Sequence, residues 1–243
     1  MGNASYEGLT KINAHGRTVF NGVVRAIDSE IDRPRSWSRP ENIFACSMSD
    51  FLHTAVPLTF LQRIFKTIRE TPRHKYLLLT KRPQRAARDW PSLTGGDHFS
   101  QIRFGITAEN QRALDQRLGP FLRVGGCGAY FISAEPLLGP IRLPSSVLRM
   151  GERLQIVIGG ESGRLARPTA VEWIDALVLQ CLDHGVKVFF KQWGEYAPVA
   201  QFPRHTGIRI TPEGSRQEMV KVGTKNAGRI YWGIEWDQEP IHN

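Results

Sequence analysis

YFISAEP, residues 130–136, decides the reading of the chain: an apolar run stops abruptly at Ser133, Glu135 and Pro136. An apolar run without polar alternation is the pattern of a strand buried on both faces, as in a parallel sheet. The pattern returns in IFACSMSD (43–50), YLLLTKR (76–82), FGITAE (104–109), IVIGGESG (156–163) and VFFKQWG (188–194), with a weaker VVRAIDSE (23–30) before them. The runs recur roughly every 25–35 residues with helical patterns between them, the rhythm of βα units.

The helical patterns are specific. In PLTFLQRIFKTIRE (57–70), Pro57 opens a helix on which Leu58, Leu61, Phe65 and Ile68 share a face. NQRALDQRLGPFL (110–122) sets Leu114 four residues from Leu118, and Pro120 ends or kinks the helix. Beyond GGESG, Thr169 and Glu172 form a capping-box pattern ahead of an apolar stripe running from Trp173 to Leu182, and Gly185 stops it. Six clear strands, with a weaker seventh near 20–26, are too few for a closed eight-stranded barrel. The expected fold is therefore α/β: an incomplete (β/α) barrel of parallel strands over residues 1–196 with an irregular N-terminal segment. Residues 197–243 read as a C-terminal extension, a short β-hairpin or lid around the ITPEG turn (210–214). RPRSWSRP (33–40) is too rich in Pro and Arg for a regular element.

If every apolar run ends on the same side, its polar residues gather where barrel enzymes keep their active sites. That criterion selects Ser47, Ser49 and Asp50; Thr80, Lys81 and Arg82; Thr107 and Glu109; Ser133 and Glu135; Glu161 and Ser162; Lys191 and Gln192. Carboxylates and lysines on one rim shift one another's pKa and suit a charged, polar ligand. Taken singly, each acid reads equally well as a surface residue, and Glu135 as a structural partner of Lys81 or Lys191. In GGESG (159–163) the glycines let backbone approach a ligand, or make a plain tight turn; neither a Rossmann nor a Walker pattern is present. Asp50 and His53 form either an acid–base pair or a capping Asp beside an exposed His.

Composition narrows the classes. Of 243 residues, 41% are hydrophobic and 23% charged, a globular balance. No apolar run approaches the ~18 residues that span a bilayer, and no signal peptide opens the chain, so no membrane partner is expected. Cys46, Cys127 and Cys181 have no metal-ligand spacing and read as buried free thiols of a reducing cytoplasm. Lys and Arg total 32 against 23 Asp and Glu, a net charge of +9. The cations, Arg63, Lys66, Arg69, Arg73, Lys75, Lys81, Arg82, Arg85 and Arg88 among them, are scattered. They describe either a solvated basic surface or one that meets a nucleotide or nucleic acid.

NIFACSMSDFLHTAVP (42–57), LLLTKRP (77–83), FGITAENQ (104–111), FISAEPLLGPI (131–141), IVIGGESGRLARP (156–168) and VFFKQWGEY (188–196) together resemble an uncharacterised phage and bacterial family, the phage gp thirty-seven/gp sixty-eight family, itself similar to radical S-adenosylmethionine proteins. The resemblance runs from Tyr6 to about Pro240 and includes VGTKNAGR (222–229); Tyr231-Trp232 departs from it. It implies S-adenosylmethionine as cofactor, with Ser49, Asp50, Thr80, Ser133, Glu135 and the Gly159-Gly160-Glu161-Ser162 turn as its contacts. Lys81, Glu109 and Lys191 would then touch substrate or move protons, the substrate being a nucleotide or nucleic acid. The family carries three N-terminal cysteines, spaced roughly C-x6-C-x2-C, that hold a 4Fe–4S cluster. The chain has no such triad, so it is expected to be a shortened or cluster-free member, with the cluster bound only by a full-length form. A non-catalytic, basic nucleic-acid-associated protein is the alternative, and a cluster-free barrel hydrolase or lyase a third reading.

Overall fold

A computed structural model describes residues 7–14, 18–46 and 49–240. Along the chain, a hairpin of β1 (Thr10–Ile12) and β2 (Thr18–Phe20) precedes two single-turn helices, α1 (Asp28–Ile31) and α2 (Arg33–Ser36). The βα rhythm then begins: β3 (Asn42–Ala45), α3 (Leu58–Glu70), β4 (Lys75–Thr80), α4 (Pro83–Thr94), β5 (Phe99–Thr107), α5 (Gln111–Phe121) and β6 (Cys127–Ala134). One-turn α6 (Ser145–Leu148) leads to β7 (Leu154–Gly159), α7 (Val171–Leu182) and β8 (Lys187–Gln192).

These six strands form one parallel sheet in the order β3-β4-β5-β6-β7-β8. Each strand lies beside its sequence neighbour, with no reversal of direction across the sheet. Right-handed crossovers in such an order put every helix on the same face, and the sheet curls into a half-barrel. An incomplete (β/α) barrel is therefore the architecture. On the helix face an aromatic chain ties the units together. Phe65 of α3 meets Trp90 of α4 edge-on at 5.2 Å, Trp90 meets Phe104 at 5.0 Å, and Phe104 stacks on Phe121 at 5.9 Å.

The inner face differs from the expectation of burial on both sides. Every residue of β6 is buried, but β4 and β8 alternate, with Leu77, Leu79 and Phe189 half-exposed inside the curl. A closed barrel would cover them; a half-barrel leaves the inner face of its outer strands open. At mid-sheet the face is filled from the next strand. Gly105 of β5 leaves the space that the Phe131 ring of β6 occupies, and a Cβ there would stand 2.4 Å from it.

The extension packs onto the barrel. β9 (Tyr196–Pro198), β10 (Arg209–Ile210) and β11 (Met219–Lys221) make a small antiparallel sheet; α8 (Thr224–Ala227) and the hairpin β12 (Ile230–Tyr231) with β13 (Ile234–Glu235) follow. Ala197, Met219, Val222, Tyr231 and Trp236 belong to the same core as the barrel strands. The last segment pairs along the free edge of β8, through Phe190 N–H to Trp236 O (2.9 Å) and Gln238 N–H to Val188 O (3.1 Å). Its Glu239 then pairs with Arg103, a buried cation on the inner face of β5.

Several local expectations are corrected. VVRAIDSE contains no strand: residues 21–27 are irregular, α1 follows, and the segment does not pair with the free edge of β3. RPRSWSRP does hold one helical turn, α2, with Pro34 in its first turn. The Thr169–Glu172 capping box does not form; Thr169 donates instead to Leu137 O (2.9 Å), and Glu172 accepts from Ser215 (2.7 Å). Arg85 is buried, not solvated: it pairs with Asp89 at 3.1 Å and donates to the carbonyls of His53 and Val56. Cys127 and Cys181 are buried, whereas Cys46 is exposed. Among the described residues no helix is long and apolar enough to cross a membrane.

Gly105→Ala should destabilise the fold by about 1–3 kcal/mol in urea denaturation, because the Phe131 ring cannot retreat inside a packed face. Adding Phe131→Leu should recover part of that loss. Strict additivity of the two changes would show that the contact does not matter.

Candidate functional site

Because all six strands run parallel, their C-terminal ends meet on one edge, and the selected residues lie there together. Ser47 lies outside the described residues. The remaining ones fall into three groups with different local roles.

The first group stitches β3 to β4. Asp50 Oδ1 accepts from Leu52 N–H (3.0 Å) and Thr80 Oγ1 (2.8 Å), and its Oδ2 from Lys81 N–H (3.0 Å) and Arg82 Nη1 (2.8 Å). Thr80 Oγ1 in turn accepts from Arg82 N–H (2.9 Å). A carboxylate with four donors is fully engaged, so Asp50 and Thr80 shape the rim rather than offer it a free acceptor. Asp50 and His53 do not pair through their side chains; His53 Nδ1 accepts from Ala55 N–H (3.2 Å). Ser49 is exposed beside this knot.

The second group surrounds Glu109. Its Oε1 meets Lys81 Nζ at 2.5 Å and its Oε2 meets Arg117 Nη1 at 2.7 Å; Arg117 also donates to the carbonyl of buried Thr107 (2.7 Å). Burial alone would raise this carboxyl. Hydrogen bonds from Lys81, its own backbone N–H and Arg117 outweigh burial and hold it below the usual carboxylate range. Glu109 is therefore a fixed anion, suited to holding a cation and not to donating a proton near neutrality.

The third group spans three strands. Lys191, at the end of β8, reaches Glu135, at the end of β6, at 2.9 Å from Oε1 and 3.0 Å from Oε2. The end of β7 lies between them. It permits the crossing because Gly159 has no side chain: a Cβ there would stand 3.1 Å from Glu135 Cγ. The Glu135–Pro136 bond is cis. Gly160 serves a different close approach. A Cβ on it would stand 1.9 Å from the Trp193 carbonyl oxygen, so this glycine admits the neighbouring backbone and not a ligand. Beyond it, Arg167 clasps Glu161 through two side-chain bonds of 2.8 Å and holds the carboxyl below its ordinary value. Ser162 Oγ accepts from Gln192 Nε2 (3.0 Å). Ser133 is buried at the end of β6.

In both lysine pairs the ammonium is the outer partner. Lys81 is 54% exposed over Glu109 at 15%, and Lys191 is 53% exposed over Glu135 at 21%. Seen from solvent, the rim presents cations first, with anions beneath them. Arg117 and Arg167 were not selected from the sequence, although each follows its acid by a few residues and could have been found by asking which cation the next segment returns to the rim. Tyr231 and Trp232, the departure from the resembling family, are an anchor: both donate to Asp175 of α7.

The described residues do not fit an iron–sulfur cluster. None of their His, Cys, Asp and Glu side chains form a group of three that could hold a metal. Cys127 and Cys181 are buried apart in the core, where burial pushes each thiol up to about 12. No chemical step through a cluster is derived from them.

Glu109→Gln should cost on the order of 1–2 kcal/mol at pH 7, since it leaves Lys81 and Arg117 without their anion. A depressed carboxyl stabilises the fold above its ordinary value of 4.5, and that stability is lost as pH falls through the lower folded value. The difference between wild type and Glu109→Gln should therefore shrink steadily below pH 4.5 in denaturant titrations. A gap that stays constant down to pH 3 would contradict the assignment.

Among known proteins, a family model described as "Protein of unknown function (DUF5131)" matches residues 3–240. No curated protein and no solved structure matches the chain. With nearly its whole length matched, the chain belongs to the DUF5131 family, a family of unknown function.

Proposed function

We propose that the rim of the half-barrel binds a small molecule carrying both charges, of the amino-acid-bearing nucleoside class. S-adenosylmethionine, the cofactor suggested by the family resemblance, is its best representative. The observation that supports this reading is the pair of lysine–glutamate bridges on one rim, each with its ammonium outermost. A ligand carboxylate or phosphate can take the ammonium, and a ligand ammonium or sulfonium the carboxylate released beneath it, so a zwitterion exchanges partners without leaving a charge unpaired. The half-exposed apolar side chains of the inner face, Leu77, Leu79 and Phe189, supply a surface for a nucleobase or other flat group. In this reading Lys191 and Glu135 bind, Lys81 and Glu109 orient, and Asp50 and Thr80 hold the rim in shape. Radical chemistry on such a ligand belongs to a cluster-bearing form; the reaction assigned to these residues goes no further than binding and orientation.

Titration calorimetry with S-adenosylmethionine, at low and moderate salt, tests the reading. Saturable one-site binding is expected, weakened about tenfold or more by Lys191→Ala and by Gly159→Ala, whose methyl would push Glu135 out of line. Binding that is absent, or equal in all three proteins, would overturn it. A single-stranded oligonucleotide bound instead, with affinity falling steeply as salt rises, would favour a nucleic-acid-associated role.

A further inference from the structure

The two edges of the sheet turn opposite charges outward. At the rim the cation is the outer partner in four bridges: Lys81 over Glu109, Lys191 over Glu135, Arg82 over Asp50, and Arg167, 63% exposed, over Glu161 at 24%. Near the strands' N-terminal ends the order reverses. Glu152 is 55% exposed over Lys187 at 25%, Asp97 is 63% exposed over Arg69 at 47%, and exposed Glu239 covers buried Arg103.

Exposed cations outside any bridge extend the rim. Arg112 lies in the first turn of α5, which leaves the end of β5, and Arg164 lies in the turn after β7. Lys225 is on α8, held close to that turn because Gly163 N–H (3.2 Å) and Thr224 Oγ1 (2.7 Å) both donate to Glu195 Oε1. Among the described residues these three side chains have no ion pair and no hydrogen bond. Arg39, Arg123 and Arg149 are likewise exposed at the opposite edge, but there they stand among the outward acids. With a net charge of +9 and its rim acids covered, the molecule offers a polyanion one favoured face.

Inside the rim the curl is apolar. Ile43 and Ala45 of β3 face the helix side with α3, so Phe44 between them faces inward, in register with Leu77 of β4. Phe44 is 45% exposed and next to last in its strand, just below the rim. An acidic peptide would satisfy the cations and leave this ring bare. A nucleic-acid duplex keeps its bases stacked on one another and would do the same. A single strand uses both features, its phosphates on cations and an unstacked base on an aromatic face.

We infer that the rim face receives a single-stranded nucleic acid, with its phosphates along the outward cations and a base against Phe44 inside the curl. This goes beyond the small-molecule reading and does not depend on it, since Arg112, Arg164, Lys225 and Phe44 have no part in that site.

Fluorescence anisotropy with a labelled oligothymidylate or oligouridylate of about 15 residues tests the inference on the full chain. Binding should weaken steeply with salt. Replacing Arg112, Arg164 and Lys225 together by Gln should weaken it about tenfold or more and flatten the slope of log affinity against log salt by about 2. Replacing Arg39, Arg123 and Arg149 together by Gln removes the same net charge and should weaken it less than about threefold, which separates a face from a bulk charge effect. Phe44→Ala, at an exposed position, should weaken the strand about fivefold or more with an unchanged circular dichroism spectrum. A preference for the deoxy or the ribo strand tells which nucleic acid is meant. No binding, equal losses in the two triple variants, full affinity in Phe44→Ala, a duplex of the same length bound as tightly, or a polyglutamate that displaces the strand at equal charge would each overturn the inference.

Discussion

Sequential parallel pairing of six strands is the constraint on which the rest depends. It puts every strand's C-terminus on one edge, every helix on one face, and the apolar inner surface on the other. The polar residues that end each run become neighbours only because of it. Asp50 can then tie β3 to β4, Lys81 can reach Glu109, and Lys191 can cross β7 to Glu135. None of these contacts is local in sequence; Lys191 and Glu135 are 56 residues apart. A slip of one residue in any strand would turn its end residues to the other face and break the set.

An open sheet carries a second consequence. A closed barrel has no edges and a filled interior, whereas a half-barrel has two edges and an exposed inner face. The chain treats the two edges differently. The C-terminal segment lies along β8 and sends Glu239 to the buried Arg103. At β3, the N-terminal segment stands off the sheet and leaves a cavity where the other units have close packing. One edge is thus covered by backbone pairing and the other by a loose apolar wall.

Much of this was legible in the sequence, for physical reasons that particular residues show. Burial makes the middles of β6 and β7 apolar runs, so they could be read directly from YFI and IVIG. Pro57 and the spacing of Leu61, Phe65 and Ile68 announced α3. The early part of β5 was hidden because Gln101 and Arg103 interrupt the pattern, and Arg103 is buried with partners as distant as Gln155 and Glu239. Helix α4 was hidden by Pro91 near its end and by arginines that read as surface, although Arg85 is held by Asp89 and two carbonyls. At the site, the identity of the rim residues could be anticipated, but not their division of labour. Which acid is saturated, why both lysines lie outermost, and how closely Glu135 passes Gly159 depend on atoms brought together only by the sheet.

The central claim is that the Lys191–Glu135 bridge over Gly159 is the heart of a ligand site. A crystal structure of the chain determined with S-adenosylmethionine tests it most directly. The account predicts the ligand at the strand C-terminal rim, its carboxylate on Lys191 and its ammonium or sulfonium beside Glu135. A ligand bound elsewhere, with that bridge intact and unvisited, would contradict it.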